Sequence, residues 1–185
     1  MITILIPTTL ERRPRLEKCL EAIKASTIPS IICTMENSGG GWVKNIHKML
    51  ENINGVCFCV GDDAILAPDC LEKLMNAYEA LPNKEEWLLE PDEQFSHGAI
   101  AQFPFAHSDL LKKYIHKGYF QNYSDTELTE VMKKKGRYLY VPEAKLDHQH
   151  FMSGAVYDET YKLSHSKGQD DQRLFNLRKQ NNFEN

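Results

Sequence analysis

Apolar and polar positions alternate in blocks through the first half of the chain. Ile2-Thr3-Ile4-Leu5-Ile6 is a short run rich in β-branched residues, stopped by Pro7, and it predicts a buried strand. Leu16, Cys19, Leu20 and Ile23 then recur at i, i+3, i+4 and i+7 behind Pro14, which predicts a helix. A second apolar run, Ile31-Ile32-Cys33-Thr34-Met35, ends in Glu36 to Gly41, and Val43, Ile46, Leu50 and Ile53 form the next helical stripe. The third run, Val56 to Val60, stops abruptly at Gly61-Asp62-Asp63, and Leu71, Leu74, Met75 and Tyr78 mark a helix after Pro68-Asp69. Strand and helix alternating three times is the pattern of a parallel sheet with right-handed crossovers. The polar loops at Thr8-Thr9, Glu36 to Gly41 and Gly61 to Asp63 then share one sheet edge, where open α/β folds keep their ligands.

The second half breaks this alternation. Pro82 to Ser96 reads as loop apart from Trp87-Leu88-Leu89, and Gly98 to Phe103 reads as a strand. Ser108-Asp109 predicts the start of a helix that Gly118 closes, and Ser124-Asp125-Thr126-Glu127 has capping-box spacing ahead of another. Tyr138 to Val141 predicts a further strand, Gln169 to Gln180 a last helix, and Asn181 to Asn185 a frayed end.

Composition narrows the class. With 185 residues, 42% hydrophobic and 26% charged, the chain is expected to be one globular domain. A net charge of −4 supplies no global basic field, so no strong nucleic-acid signal is present. Pro7 follows the opening apolar run at once, and neither a signal peptide nor a membrane span is expected there. Five cysteines without framework spacing predict buried thiols and a cytoplasmic setting.

Candidate chemistry centres on Asp62 and Asp63. Adjacent carboxylates repel unless a cation or donors sit between them, although Gly and Asp are also ordinary turn residues. His148 and His150 are spaced so that a strand would point both to one face, either as metal ligands or as solvated polar residues. Asp125 and Glu127 stand in a predicted first helical turn, which favours acids whatever their function. Arg12, Arg13 and Arg15 follow the first strand closely, with Arg13 the expected nucleotide contact and three solvated charges the alternative. Gly39-Gly40-Gly41 lacks a P-loop Lys-Ser/Thr and reads as a flexible loop, Lys133 to Lys135 as a solvated helix end, and Asp170-Asp171 as a plain helix start.

Over Ile2 to His150 these segments, in this order, resemble glycosyltransferase family 2 of the GT-A fold. Pro7-Thr8-Thr9 resembles that family's nucleotide-contacting turn, Glu36-Asn37-Ser38 its Asp-Asn-Ser, and Lys44-Asn45 its Arg-Asn. Val60-Gly61-Asp62-Asp63 resembles the metal-binding Asp-x-Asp strand end, Ser124 to Leu128 the segment of the catalytic base, and His148-Gln149-His150 the distal histidine site. The resemblance implies a single α/β, Rossmann-like GT-A domain over residues 1–180, with a mostly parallel central sheet flanked by helices. Residues 1–81 would be the nucleotide and metal half, and 82–180 the acceptor side. It implies transfer of a sugar from a nucleoside diphosphate sugar to an acceptor hydroxyl, inverting if Asp125 is the base. Mn²⁺ or Mg²⁺ would be held by Asp63 and His150, with Asp62 nearer the ribose. Three departures stand out: Gly61 where many members carry Asp, Glu36 for Asp, and Ser124 where the base is usually preceded by Glu.

Two other classes share these features. A sugar-nucleotide-binding module would carry degenerate motifs without turnover. A sugar-phosphate nucleotidyltransferase would use a related scaffold, but its usual Gly-rich loop after the first strand is missing from Pro7 to Glu11.

Overall fold

A computed structural model describes residues 1–36, 40–151, 154 and 156–184, with the side chain of Glu36 left out. Among the described residues, seven strands form one sheet and six α-helices cover its two faces. In chain order these are β1 (Ile2–Thr8), α1 (Arg13–Lys24), β2 (Ser30–Glu36), α2 (Gly41–Leu50), β3 (Val56–Cys59), β4 (Ala64–Leu66) and α3 (Cys70–Glu79). There follow β5 (Leu88–Asp92), β6 (Phe105–His107), α4 (Ser108–Tyr114), α5 (Ser124–Lys134), β7 (Tyr138–His148) and α6 (Glu159–Gln180).

The sheet order is β2-β1-β3-β6-β5-β7-β4. β2, β1 and β3 pair in parallel, as do β5 and β7, whereas β6 and β4 run against their neighbours. Five of the seven strands therefore point the same way, and the architecture is the mostly parallel, helix-flanked α/β sheet expected. Helices cover both faces, so β1 is buried on each side, with Ile4, Leu5 and Ile6 all 0% exposed. Its unbroken apolar run follows from that double burial. Ile4, Ile6 and Phe58 pack on one face with Cys19, Ile23, Leu71, Leu74 and Tyr78 of α1 and α3. Leu5, Cys57 and Cys59 face Val43, Ile46, Leu110, Leu128, Met132 and Phe175 on the other.

The second half departs from the sequence reading in several places. Residues 98–103 form no strand, because side chains capture their amides: Phe103 N donates to the Glu90 carboxylate (3.1 Å) and Ala101 N to Thr129 Oγ1 (2.8 Å). The strand forms just beyond them as β6. Within the expected loop 82–96 lies β5, parallel to β7; its ladder shifts register at Pro91/Asp92, where proline breaks the regular pairing. β7 continues past Val141 to His148, and α6 begins at Glu159 rather than Gln169. The capping box does not close. Glu127 instead takes a forked pair of bonds from Arg178 (2.9 Å each) and one from Tyr119 Oη (2.6 Å). At the chain end, Phe183 N donates to Arg178 O (2.7 Å), and the Phe183 ring lies 5.7 Å from that of Phe175.

Candidate active site

The ends of β1 and β3 lie side by side, since β1 pairs with β3 from Ile2↔Val56 to Leu5↔Cys59. This places Thr8 and Asp62 together, and Thr8 Oγ1 donates to Asp62 Oδ2 at 2.7 Å. Both acids are buried, Asp62 to 1% exposure and Asp63 to 5%. Between them stands Arg12, from the 3-10 turn Leu10–Arg12. Its Nη1 lies 2.6 Å from Asp62 Oδ1, its Nη2 2.7 Å from Asp63 Oδ2, and its Nε 3.1 Å from Asp158 Oδ2 at the N-cap of α6. Tyr161 Oη, one turn into that helix, donates to Asp63 Oδ2 at 2.9 Å.

The strand end of β7 completes the centre. β4 pairs Ala64 with His148, and Gln149 N donates to Asp63 O (2.8 Å), so the His148 imidazole arrives beside the acids. His148 Nε2 lies 3.6 Å from Asp63 Oδ1, and the His150 ring sits 5.1 Å further out, edge-on to Tyr161. Burial pushes Asp62 up to about 6, with Arg12 and Thr8 opposing. Burial acts on Asp63 as well, but Arg12, His148 and Tyr161 outweigh it and hold its carboxyl below the usual range. The two acids are thus driven apart in acidity. Burial lowers both histidines, so each is a neutral imidazole near pH 7.

Opposite this centre the loop 121–123 and the start of α5 close a cleft of about 490 Å³, a volume typical of small-ligand sites. Pro7, Thr8, Thr9, Asp62, Asp63, Asp125, His148 and His150 all line it, together with Trp42 and Tyr161. Asp125 is half-buried, and Oδ1 accepts from Thr126 N (2.7 Å); burial raises its carboxyl against that bond. Behind it, Glu90 is fully buried and raised well above the usual range by burial, the Phe103 amide opposing. The cleft wall is clamped from α6, where Asp171 accepts from the amides of Phe120 (2.8 Å), Gln121 (3.0 Å) and Asn122 (2.8 Å). Gly41 packs against the same loop with φ +79; a Cβ there would lie 2.4 Å from Phe120 O, so a glycine is required.

Other predicted site residues lie elsewhere. Arg13 is exposed and pairs with Glu17 (3.3 Å) along α1; the arginine that enters the cleft is Arg12. Asn45 is buried within α2, bonded to Gly41 O (2.6 Å), and Lys44 lines a separate hollow with His47, Lys48 and Lys117. The register Thr8↔Glu36 sets the end of β2 beside the cleft, but the Glu36 side chain and Asn37 fall outside the described residues. Arg12, Asp158 and Tyr161 carried no motif. The only signal for Arg12 was three arginines following a strand end.

The fit of a divalent ion rests on donor chemistry. Among the described residues no three His, Cys, Asp or Glu side chains converge on one point. Mg²⁺ is commonly held by one or two carboxylates together with substrate phosphates, and so needs no all-protein cage. An ionised Asp63 beside neutral imidazoles offers hard oxygen with nitrogen, which suits Mn²⁺. The residues present fit.

This sheet, with its cleft at the carboxyl edge of β1 and β3, is the fold of GT-A glycosyltransferases. S. aureus TarS superposes with TM-score 0.57 at 11% identity over 79% of this chain and 59% of that one. Its complex with UDP-GlcNAc gives 0.54 at 13% identity, over 88% and 64%. A glycosyltransferase involved in glycosylation of the major capsid of PBCV-1 gives 0.50 at 13%, over 90% and 98%. The chain spans less than two thirds of the TarS structures. At such identities the similarity establishes the fold, and activity must be argued from the site. The sequence matches no protein-family model and no curated protein. No helix among the described residues is long and apolar enough to cross a membrane.

Proposed function

We propose that the chain is a glycosyltransferase that moves a sugar from a nucleoside diphosphate donor to an acceptor hydroxyl. One observation carries this reading: Asp62-Asp63, His148 and Asp125, from three distant stretches of chain, line a single cleft at the carboxyl edge of the sheet. Neighbours of the same fold bind UDP and UDP-GlcNAc, which supports a nucleotide sugar as donor. Pro7, Thr8 and Thr9 form the nucleoside side of the cleft, with Asp62 oriented by Thr8 and Arg12. Asp63 would hold Mn²⁺ or Mg²⁺, the His148 imidazole standing 3.6 Å from its carboxylate and the His150 ring beyond that. The ion would supply Lewis-acid neutralisation of the departing diphosphate. Asp125 accepts the acceptor's proton, and its raised carboxyl makes it a better base than an exposed aspartate. Transfer by direct attack with that base inverts the anomeric centre. Five free cysteines support a reducing setting, the cytoplasm.

A thermal-shift titration with UDP and UDP-GlcNAc, with and without MnCl₂, tests this. A ligand at a hundredfold its Kd stabilises by about 2.7 kcal/mol, or roughly 5 to 10 °C for a chain of this size. Wild type should show that shift with Mn²⁺ present, and Asp63→Ala should lose its Mn²⁺-dependent part. A shift equally large in Asp63→Ala would remove Asp63 from the metal site. No shift with any nucleoside diphosphate would sink the reading.

A further inference from the structure

Arg12 is, among the described residues, the only cationic side chain in the buried interior. Three carboxylates surround it, Asp62 at 2.6 Å, Asp63 at 2.7 Å and Asp158 at 3.1 Å, and its guanidinium lies 5.2 Å from the centre of the Tyr161 ring. The first two acids come from the end of β3. Asp158 and Tyr161 belong to the start of α6 and its N-cap, where the Asp158 carboxylate also accepts from Tyr161 N (3.2 Å). One guanidinium therefore ties the carboxylate pair to the last helix.

That pair needs a cation wherever it is buried, and Arg12 supplies it. A divalent ion on Asp63 would bring two like charges together across a carboxylate whose Oδ2 is already 2.7 Å from Nη2. We propose that Arg12 is an exchangeable counter-cation. It closes Asp62-Asp63 in the resting protein, yields them to a divalent cation, and then pairs with the donor diphosphate. Its planar fork of donors suits bidentate recognition of phosphate as well as carboxylate. Leaving Asp158 and Tyr161, Arg12 also loosens the first turn of α6 at the cleft mouth. The diphosphate step rests on the function proposed above, whereas the exchange at the carboxylates does not.

Binding of MnCl₂ alone, followed by the electron paramagnetic resonance of free Mn²⁺, tests the exchange without nucleotide. Arg12→Gln should bind Mn²⁺ roughly tenfold tighter than wild type or better, because the competing charge is gone. Arg12→Lys should fall between them, since a single ammonium cannot span both acids. Equal or weaker binding by Arg12→Gln overturns the proposal. If that variant does not fold, Arg12→Lys decides by the same criterion. In wild type, MnCl₂ should speed amide hydrogen exchange at residues 161–163, and unchanged exchange there overturns the link to α6. UDP added at saturating Mn²⁺ should bind Arg12→Gln more weakly than wild type, and equal affinity overturns the diphosphate step. Tighter Mn²⁺ binding by the variant in a protein that never binds UDP would leave the exchange standing and refute the nucleotide reading alone.

Discussion

Replacing Asp171 should unfold the cleft wall before it disturbs the sheet. This carboxylate is 3% exposed on α6 and accepts three backbone amides, from Phe120, Gln121 and Asn122, at 2.8 to 3.0 Å. Asp171→Ala removes all three acceptors and leaves N–H groups without a partner in a half-buried loop. A buried donor left unpaired costs about 1–3 kcal/mol, and the three are not additive because water reaches some of them. The net loss is expected at about 3 kcal/mol, which for a chain of this size lowers Tm by roughly 6 to 12 °C. Asp171→Asn should cost about half as much, since its oxygen still serves Gln121 and Asn122 while its amide faces Phe120 N donor to donor. Urea titration of the two variants beside wild type provides the measurement. The loop also abuts Gly41 and carries cleft residues Gln121 and Asn122, so nucleotide affinity should fall with stability. If Asp171→Ala unfolds within about 0.5 kcal/mol of wild type, as surface substitutions do, the clamp carries no energy and the argument is wrong.

Asp125→Asn should leave donor binding intact and lower turnover by ~10²–10⁴-fold, and wild-type turnover in that variant removes the base assignment. Because burial raises the Asp125 carboxyl above its ordinary 3.8, activity should rise with pH through that raised value, so the acid limb of kcat/KM lies above 3.8. The sign is opposite for stability: the contribution is full below 3.8 and is lost as pH climbs through the folded value, a loss that Asp125→Asn abolishes. Gly61→Asp, which would restore the family's first acid, should instead weaken the Mn²⁺ response in thermal shift. A Cβ at Gly61 would lie 2.5 Å from Asp63 Oδ1, the oxygen that faces His148 Nε2 at 3.6 Å, and would push that carboxylate out of the position it shares with the imidazole. A stronger Mn²⁺ response would show that the centre tolerates a second ligand there.

The sequence alone determined the first three strands and helices, because their apolar positions follow directly from burial. A strand covered on both faces reads as a continuous apolar run, and a covering helix as a 3.6-residue stripe. It also placed Thr8, Asp62 and Asp63 at strand ends, and named Asp125 and His150 as residues of one site. It did not reveal β4, which has only three residues and becomes a strand by pairing with β7. Nor did it show residues 98–103 giving their amides to Glu90 and Thr129, since side-chain capture leaves no periodic trace. Only the tertiary structure exchanged Arg13 for Arg12, brought His148 Nε2 within 3.6 Å of Asp63 Oδ1, and turned Glu127 from a helix cap into a partner of Arg178. Those contacts join residues 51 (Arg12 and Asp63; Glu127 and Arg178), 98 (Tyr161 and Asp63) and 149 (Arg12 and Tyr161) positions apart. Periodicity reports which face of an element is buried; which charged groups meet across that face depends on how distant elements dock.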